Sequence, residues 1–159
     1  MDELLKILEG NALESRATIA KMLNLPLAEV DQRIADYEKR GVIRGYQTIL
    51  NEDQLDLDKT TAVIEVKVTP QRETGFDSIA ERIYRFPEAR SVYLVSGTYD
   101  LAVHVVGRTM QDVAMFVAEK LAPLDGVQST VTHFMLRRYK EDGDVLVGHE
   151  TAERLAVTP

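Results

Sequence analysis

Ser15-Arg16-Ala17-Thr18-Ile19-Ala20-Lys21-Met22-Leu23-Asn24 has the pattern of a short amphipathic helix; a Leu25-Pro26-Leu27 turn follows, then a longer helical pattern from Ala28 to Arg40 that Gly41 closes. Two helices joined by a three- or four-residue turn and locked by apolar residues form a helix-turn-helix, a geometry that offers its second helix to a DNA groove. Ser15 is placed to cap the first helix of the pair, with Thr18 in its first turn. Ile19, Met22 and Leu23 are expected to face the core. Val30, Ile34 and Tyr37 recur at spacings of four and three, which makes them a buried stripe. The same spacing turns Ala28, Glu29, Asp31, Gln32, Arg33 and Asp36 toward solvent or a nucleic acid. Upstream, Leu4, Leu5, Ile7 and Leu8 form one stripe of a further helix ending near Gly10-Asn11. Downstream, Gly41 supplies the left-handed residue that ends the long helix, and Val42-Ile43-Arg44-Gly45-Tyr46 is expected to start a strand, a wing or hinge.

Beyond residue 50 the periodicity changes. Ala62, Ile64, Val66 and Val68 alternate with Thr61, Val63, Glu65 and Lys67, a half-buried strand ending at Pro70. Phe76, Ile79, Ala80 and Ile83 give a helical stripe that Pro87 stops. Strands over 91–96 and 99–106 are separated by Gly97-Thr98, a hairpin signal. Met110, Val113, Phe116, Val117 and Leu121 form a second helical stripe broken by Pro123, and Gly126 opens a last strand through about Arg137. This βαββαβ order predicts a ferredoxin-like sandwich, two helices on one face of a four-stranded antiparallel sheet. Val92-Tyr93-Leu94-Val95 and Leu101-Ala102-Val103-His104-Val105-Val106 are apolar on nearly every residue. Both sheet faces therefore want burial, which predicts a dimer through this body.

Composition narrows the function. The chain has no cysteine, so disulfide scaffolds, thiolate nucleophiles and thiolate metal sites are excluded. No apolar run approaches the roughly 20 residues needed to span a bilayer. The start Met1-Asp2-Glu3 is wrong for a signal peptide, and the expectation is a cytoplasmic protein without membrane contact. Residues 1–50 carry seven Lys or Arg and eight Asp or Glu, a net of −1, and the remainder a net of −6. A DNA reader ordinarily shows a basic excess, because phosphate neutralisation supplies most non-specific affinity; each head is therefore expected to bind weakly. Glu29 and Asp31 suit the dipole at the start of the long helix but would face phosphates unfavourably. Gln32 and Arg33 are the expected contacts to base edges or phosphates, with Arg16, Lys21, Lys39, Arg40 and Arg44 as further DNA-binding candidates.

The helix-turn-helix, the segment Gly41-Val42-Ile43-Arg44-Gly45-Tyr46 preceded by Arg33-Ile34, the hairpin Gly97-Thr98-Tyr99-Asp100, and Gly126-Val127 followed by Thr130-Val131-Thr132-His133 occur in an order and spacing that resemble the Lrp/AsnC family of leucine-responsive, or feast/famine, transcriptional regulators. The resemblance covers residues 2 to about 141. It implies an α+β chain: a winged helix-turn-helix over 1–50, a hinge over 51–60, a ferredoxin-like ligand-binding domain of the RAM type over 61–142, and a tail over 143–159. It further implies double-stranded DNA and a small effector, typically an amino acid, as partners, with homodimers that assemble into octamers. Carried over by motif position, the effector region would include Gly97, Thr98, Tyr99, Asp100, Thr130 and Thr132. A carboxylate can pair with an α-ammonium, while hydroxyls and hairpin amides can take an α-carboxylate; the structural alternative is that Asp100 caps its own turn and the threonines are ordinary strand residues. The long helix departs from the family, which often has Ser or Thr at its start and several basic residues along it, where Pro26, Leu27, Glu29 and Asp31 stand here.

An enzyme is the rival class, since siroheme decarboxylases are similar to these regulators in both domains. His104, His133 and His149 form no metal-ligand spacing, and no nucleophile motif, phosphate-cradling glycine loop or paired-carboxylate signal is present; no catalytic residue, metal or cofactor is expected. A third reading is an effector-sensing oligomer whose head has little DNA affinity and contacts another protein. Val145-Leu146-Val147 could add a strand to a neighbour.

Overall fold

The computed structural model describes residues 1–55, 57–69 and 75–147 and divides the chain into two compact units, one over Met1–Leu50 and one from Asn51 onward. Pro70, His149 and the tail beyond residue 147 lie outside the described residues.

Three helices build the head: α1 (Glu3–Gly10), α2 (Arg16–Leu23) and α3 (Leu27–Lys39). Asp2 caps α1 by accepting the Leu4 amide at 3.2 Å, and Ser15 caps α2 by accepting the Thr18 amide at 3.0 Å; each satisfies a donor the helix itself cannot. Asn24 adopts a left-handed conformation (φ 51°) after α2, and the Leu25 amide returns to the Ala20 carbonyl at 2.9 Å. That closure, followed by Pro26 at the start of α3, makes the turn of the helix-turn-helix. Leu4, Ile19, Ala20, Val30 and Ile34 are buried, with Leu23, Leu25, Tyr37 and Ile43 packed around them. Met22 departs from expectation, since it is 61% exposed. Ile19, Leu23 and Ala20 span the inward arc of α2, and Met22 falls outside it, on the other side of Ile19.

Val42–Tyr46 also differ from expectation, since no strand forms there. The Val42 and Ile43 amides both turn back to the Tyr37 carbonyl, at 2.9 and 3.2 Å, and the rest of the segment has no ladder partner among the described residues. Gly41, at φ +70°, makes the reversal that ends α3.

The body is a four-stranded antiparallel sheet of order β2-β3-β1-β4, with β1 Thr60–Val68, β2 Ala89–Leu94, β3 Leu101–Gly107 and β4 Val127–Phe134. Helices α4 (Asp77–Tyr84) and α5 (Met110–Phe116) supply Ile79, Ile83, Val113 and Phe116 to a core shared with Ile64, Val66, Leu101, Val103 and Val105. Met110 departs from the expected stripe at 54% exposure, because it is the first residue after the Thr109 capping box. A π turn over Val117–Leu121 follows α5 and carries Leu121 into the core before Pro123 ends the helix. At Gly126 (φ +93°) a side chain would strain the backbone, and its Cβ would lie 2.6 Å from the Ile79 Cδ1 methyl and displace it, so glycine favours the close approach of α4 to the start of β4.

The register sorts the sheet residues onto two faces. Val103 pairs with Ile64 and Val92 and lies under the helices, whereas His104 pairs with Val63 and Ser91 on the opposite face. That open face also carries Tyr93, Ala102, Glu65, Val131 and His133. Val131 and Tyr93 are 50% and 53% exposed there. His133 Nε2 lies 3.1 Å from Glu65 Oε1, and the Tyr93 and His104 rings meet edge to face. The β2–β3 connection is wider than a Gly97-Thr98 hairpin: it runs over 95–100 and is closed by the Val95 amide on the Asp100 carbonyl at 2.9 Å. The last strand stops at Phe134 rather than near Arg137. Val145 pairs within its own chain, in a short ribbon of β5 (Lys140–Glu141) and β6 (Asp144–Val145). Asn51 and Glu52 are tied to the rest of their unit, because Glu52 accepts from Arg138 (2.5 Å) as well as from Lys59, and Asn51 donates to the Leu146 carbonyl at 2.7 Å.

Candidate nucleic-acid interface and effector region

The outward surface of α3 lies opposite Val30, Ile34 and Tyr37. Ala28, Gln32, Ala35 and Lys39, at steps of four, three and four, form a single exposed strip there. No acid lies in it. The four acids of α3 stand beside the strip, and each has a partner. Arg16 of α2 donates to Asp31 at 2.8 Å, Arg33 to Glu29 one turn back, Arg40 to Asp36 at 2.9 Å, and the Tyr46 hydroxyl to Glu38 at 2.9 Å. The acids that look hostile to phosphate in the sequence are thus tied to cations or a hydroxyl of the same head.

The candidate cations separate accordingly. Arg33 is held by Glu29 and lies 3.9 Å from Asp2. Asp2 in turn accepts the Tyr37 hydroxyl at 2.5 Å while capping α1. That hydroxyl, the Leu4 amide and the Arg33 charge together hold the Asp2 carboxyl below the usual carboxylate range, and the Tyr37 phenol is pushed up in response. Arg33 is therefore part of the joint between α1 and α3. All three arginines pair at the exposed surface, where an ion pair contributes little; Arg16 and Arg40 each face one carboxylate and can exchange it for a phosphate, whereas Arg33 faces two. Lys21, Lys39 and Arg44 make no ion pair among the described residues. Ala35 was not among the residues the sequence pointed to; its spacing of seven from Ala28 is the signal that identifies it.

At the body's candidate effector region, Asp100 is committed to its own fold. Its Oδ2 accepts the Val68 amide at 2.9 Å and its amide donates to the Val66 carbonyl at 3.1 Å. Gly97 and Thr98 are exposed in the loop, and Tyr99 is half-buried. Val66 pairs with Leu101 on one side and Thr130 on the other, and Ile64 pairs with Thr132. The loop and Thr130 therefore share one end of the sheet, with Thr132 two residue pairs further in. Both threonines point to the helix-covered side and are half-buried.

No helix among the described residues is long and apolar enough to cross a membrane. Residues 61–145 match the model of the Lrp/AsnC ligand binding domain. Over 158 residues, 99% of this chain and 95% of the relative, the sequence is 48% identical to the uncharacterized HTH-type transcriptional regulator YugG of Bacillus subtilis. Among solved structures it is similar to MtbAldR, with TM-score 0.74, 24% identity and 88% and 97% of the two chains covered. It is also similar to a transcriptional regulator of Neisseria meningitidis in complex with L-Met, with TM-score 0.69, 21% identity and 89% and 93% covered.

Proposed function

The chain belongs to the Lrp/AsnC family, and from that membership we propose that it is a cytoplasmic transcriptional regulator that binds duplex DNA through α3 and responds to a small effector, an amino acid, as a dimer or an assembly of dimers. The observation that carries the DNA reading is the acid-free strip Ala28-Gln32-Ala35-Lys39 on the outward side of a closed helix-turn-helix. Lys39 sits in the strip, while Lys21 and Arg44, with the releasable Arg16 and Arg40, are the phosphate contacts. With a net charge of −1 on the head, a single head binds weakly, and joining two through the body raises the effective concentration of the second. The open sheet face, with Tyr93, Ala102, Val131 and His104, is the surface through which the bodies pair.

The effector reading is supported by the L-Met complex of the Neisseria regulator and by the shared sheet end of the Gly97–Asp100 loop and Thr130. Here the loop amides, Tyr99 and the threonine hydroxyls contact the effector, while Asp100 holds the loop in shape.

A mobility-shift titration of the full chain against the region upstream of its own gene tests the DNA reading. The expected result is a retarded complex that survives unrelated competitor duplex and weakens as salt rises; loss of the complex to unrelated duplex as readily as to the unlabelled upstream region would refute it. Melting the protein with each common amino acid tests the effector, which must raise stability by preferential binding to the folded form.

A further inference from the structure

We propose that Gln32 reads an adenine in the major groove, with Ala28 and Ala35 bringing the helix close enough to meet thymine methyls, and that Arg33 is a positioning residue that touches no nucleotide. This rests on the reading of α3 as the DNA-contacting helix and adds the base it selects.

The chemistry follows from the strip. Gln32 is an exposed amide midway along it, with no hydrogen-bond partner among the described residues. A glutamine amide offers one donor and one acceptor side by side, the complement of adenine N7 and N6 in the major groove. Its neighbours on the strip, Ala28 and Ala35, end at Cβ. They let the helix backbone approach the base edges and make apolar contact with a thymine C5-methyl. Guanine is ordinarily read by an arginine that spans O6 and N7, and Arg33 is the arginine next to Gln32 in sequence. Its guanidinium already satisfies Glu29 and faces Asp2. Turning it to guanine would take the cation from Glu29, while Asp2 keeps the Tyr37 hydroxyl and the Leu4 amide; one residue on from Gln32, Arg33 also stands about 100° around the helix from the strip. The surface around Gln32 therefore favours A·T over G·C.

The full chain is used to select duplexes from a random pool, and the enriched half-site is scanned by replacing each A·T pair with G·C. One position is expected to lose roughly ten- to hundredfold in affinity with the wild type and to be tolerated by Gln32→Ala. Arg33→Gln, which keeps a hydrogen bond to Glu29 without the charge, should lower the melting temperature of the head yet leave both the base preferences and the slope of affinity against salt unchanged for the folded protein. An unaltered preference profile in Gln32→Ala overturns the adenine assignment, and so does a guanine preference that Arg33→Gln relaxes. Should the wild type enrich no sequence while still binding duplex, the base reading is wrong and DNA binding stands; should it bind no duplex, both fail.

Discussion

The head and the body solve burial in opposite ways. Among the described residues, the head closes three helices over a core of five buried side chains, with α1 and α3 joined at their rim by Asp2, Tyr37 and Arg33. The body lays two helices over one face of its sheet and buries twelve, leaving the other face to Tyr93, His104, Val131 and the Glu65–His133 pair. A core that small on 50 residues is marginal, so the head is the softer unit. The functional surfaces follow from the same contrast. What the head exposes is a strip of small and polar side chains cleared of acid, suited to a hydrated, charged groove; what the body exposes is a partly apolar sheet, suited to a second copy.

The sharpest break of this comparison comes from the two cores. Ile34→Ala in the head and Ile64→Ala in the body should each cost about 2–5 kcal/mol. In the head that cost should abolish folding of Met1–Leu50 alone, while in the body it should lower the whole chain. Hydrogen exchange resolved by peptide distinguishes the two. Equal loss of protection across both units in Ile34→Ala would show that they fold as one.

Asp100 comes next. Asp100→Ala leaves the Val68 amide without its acceptor, at a cost of about 1–3 kcal/mol, whereas Asp100→Asn keeps an acceptor for it. Under the structural reading the asparagine variant retains the amino-acid melting shift; its loss there would make the carboxylate an ammonium partner after all.

On the open face, His104→Glu sets a carboxylate on the surface that also carries Glu65 and should weaken dimers at least tenfold, about 1.4 kcal/mol. Val103→Asp should instead unfold the body, since Val103 lies beneath the helices and is 0% exposed. Sedimentation of the wild type and both variants decides the matter, and a monomeric wild type would remove the dimer altogether.

The smallest effect belongs to Glu52. Its carboxyl is held below the usual range chiefly by Lys59, with Arg138 adding. A lowered folded value means that the stabilisation is complete above the unfolded glutamate value of about 4.3 and is lost as pH falls through the lowered one. Glu52 is about one-fifth exposed, so the contribution is about 1 kcal/mol or less. Glu52→Gln should flatten that acid step in stability; an unchanged step would place its cause elsewhere.

Local periodicity made much of this legible. The steps Val30, Ile34, Tyr37 and the alternation of Ala62, Ile64, Val66 and Val68 describe buried faces directly, and the order of elements leads to the sheet topology. Pairings between elements were hidden. Arg16 meets Asp31 and Asp2 meets Tyr37 only once α1, α2 and α3 are packed, so the acids of α3 read in the sequence as an obstacle to DNA. The wide β2–β3 loop was hidden for the same reason, since Asp100, whose carbonyl closes it, is anchored by its carboxylate to the Val68 amide on another strand. The π turn and the exposure of Met22 are local, yet they turn on one or two residues of phase at helix ends, where periodicity is least decisive.

The central claim, that the outward strip of α3 contacts DNA, is tested most directly by the salt dependence of binding to the selected duplex. Wild type, Lys39→Ala and, as a control in the body, Lys140→Ala are compared. Lys39→Ala should lower the slope of log affinity against log salt by about one unit per head, and Lys140→Ala should leave it unchanged. A Lys39→Ala slope identical to the wild type, on a duplex that the wild type binds specifically, would contradict the account.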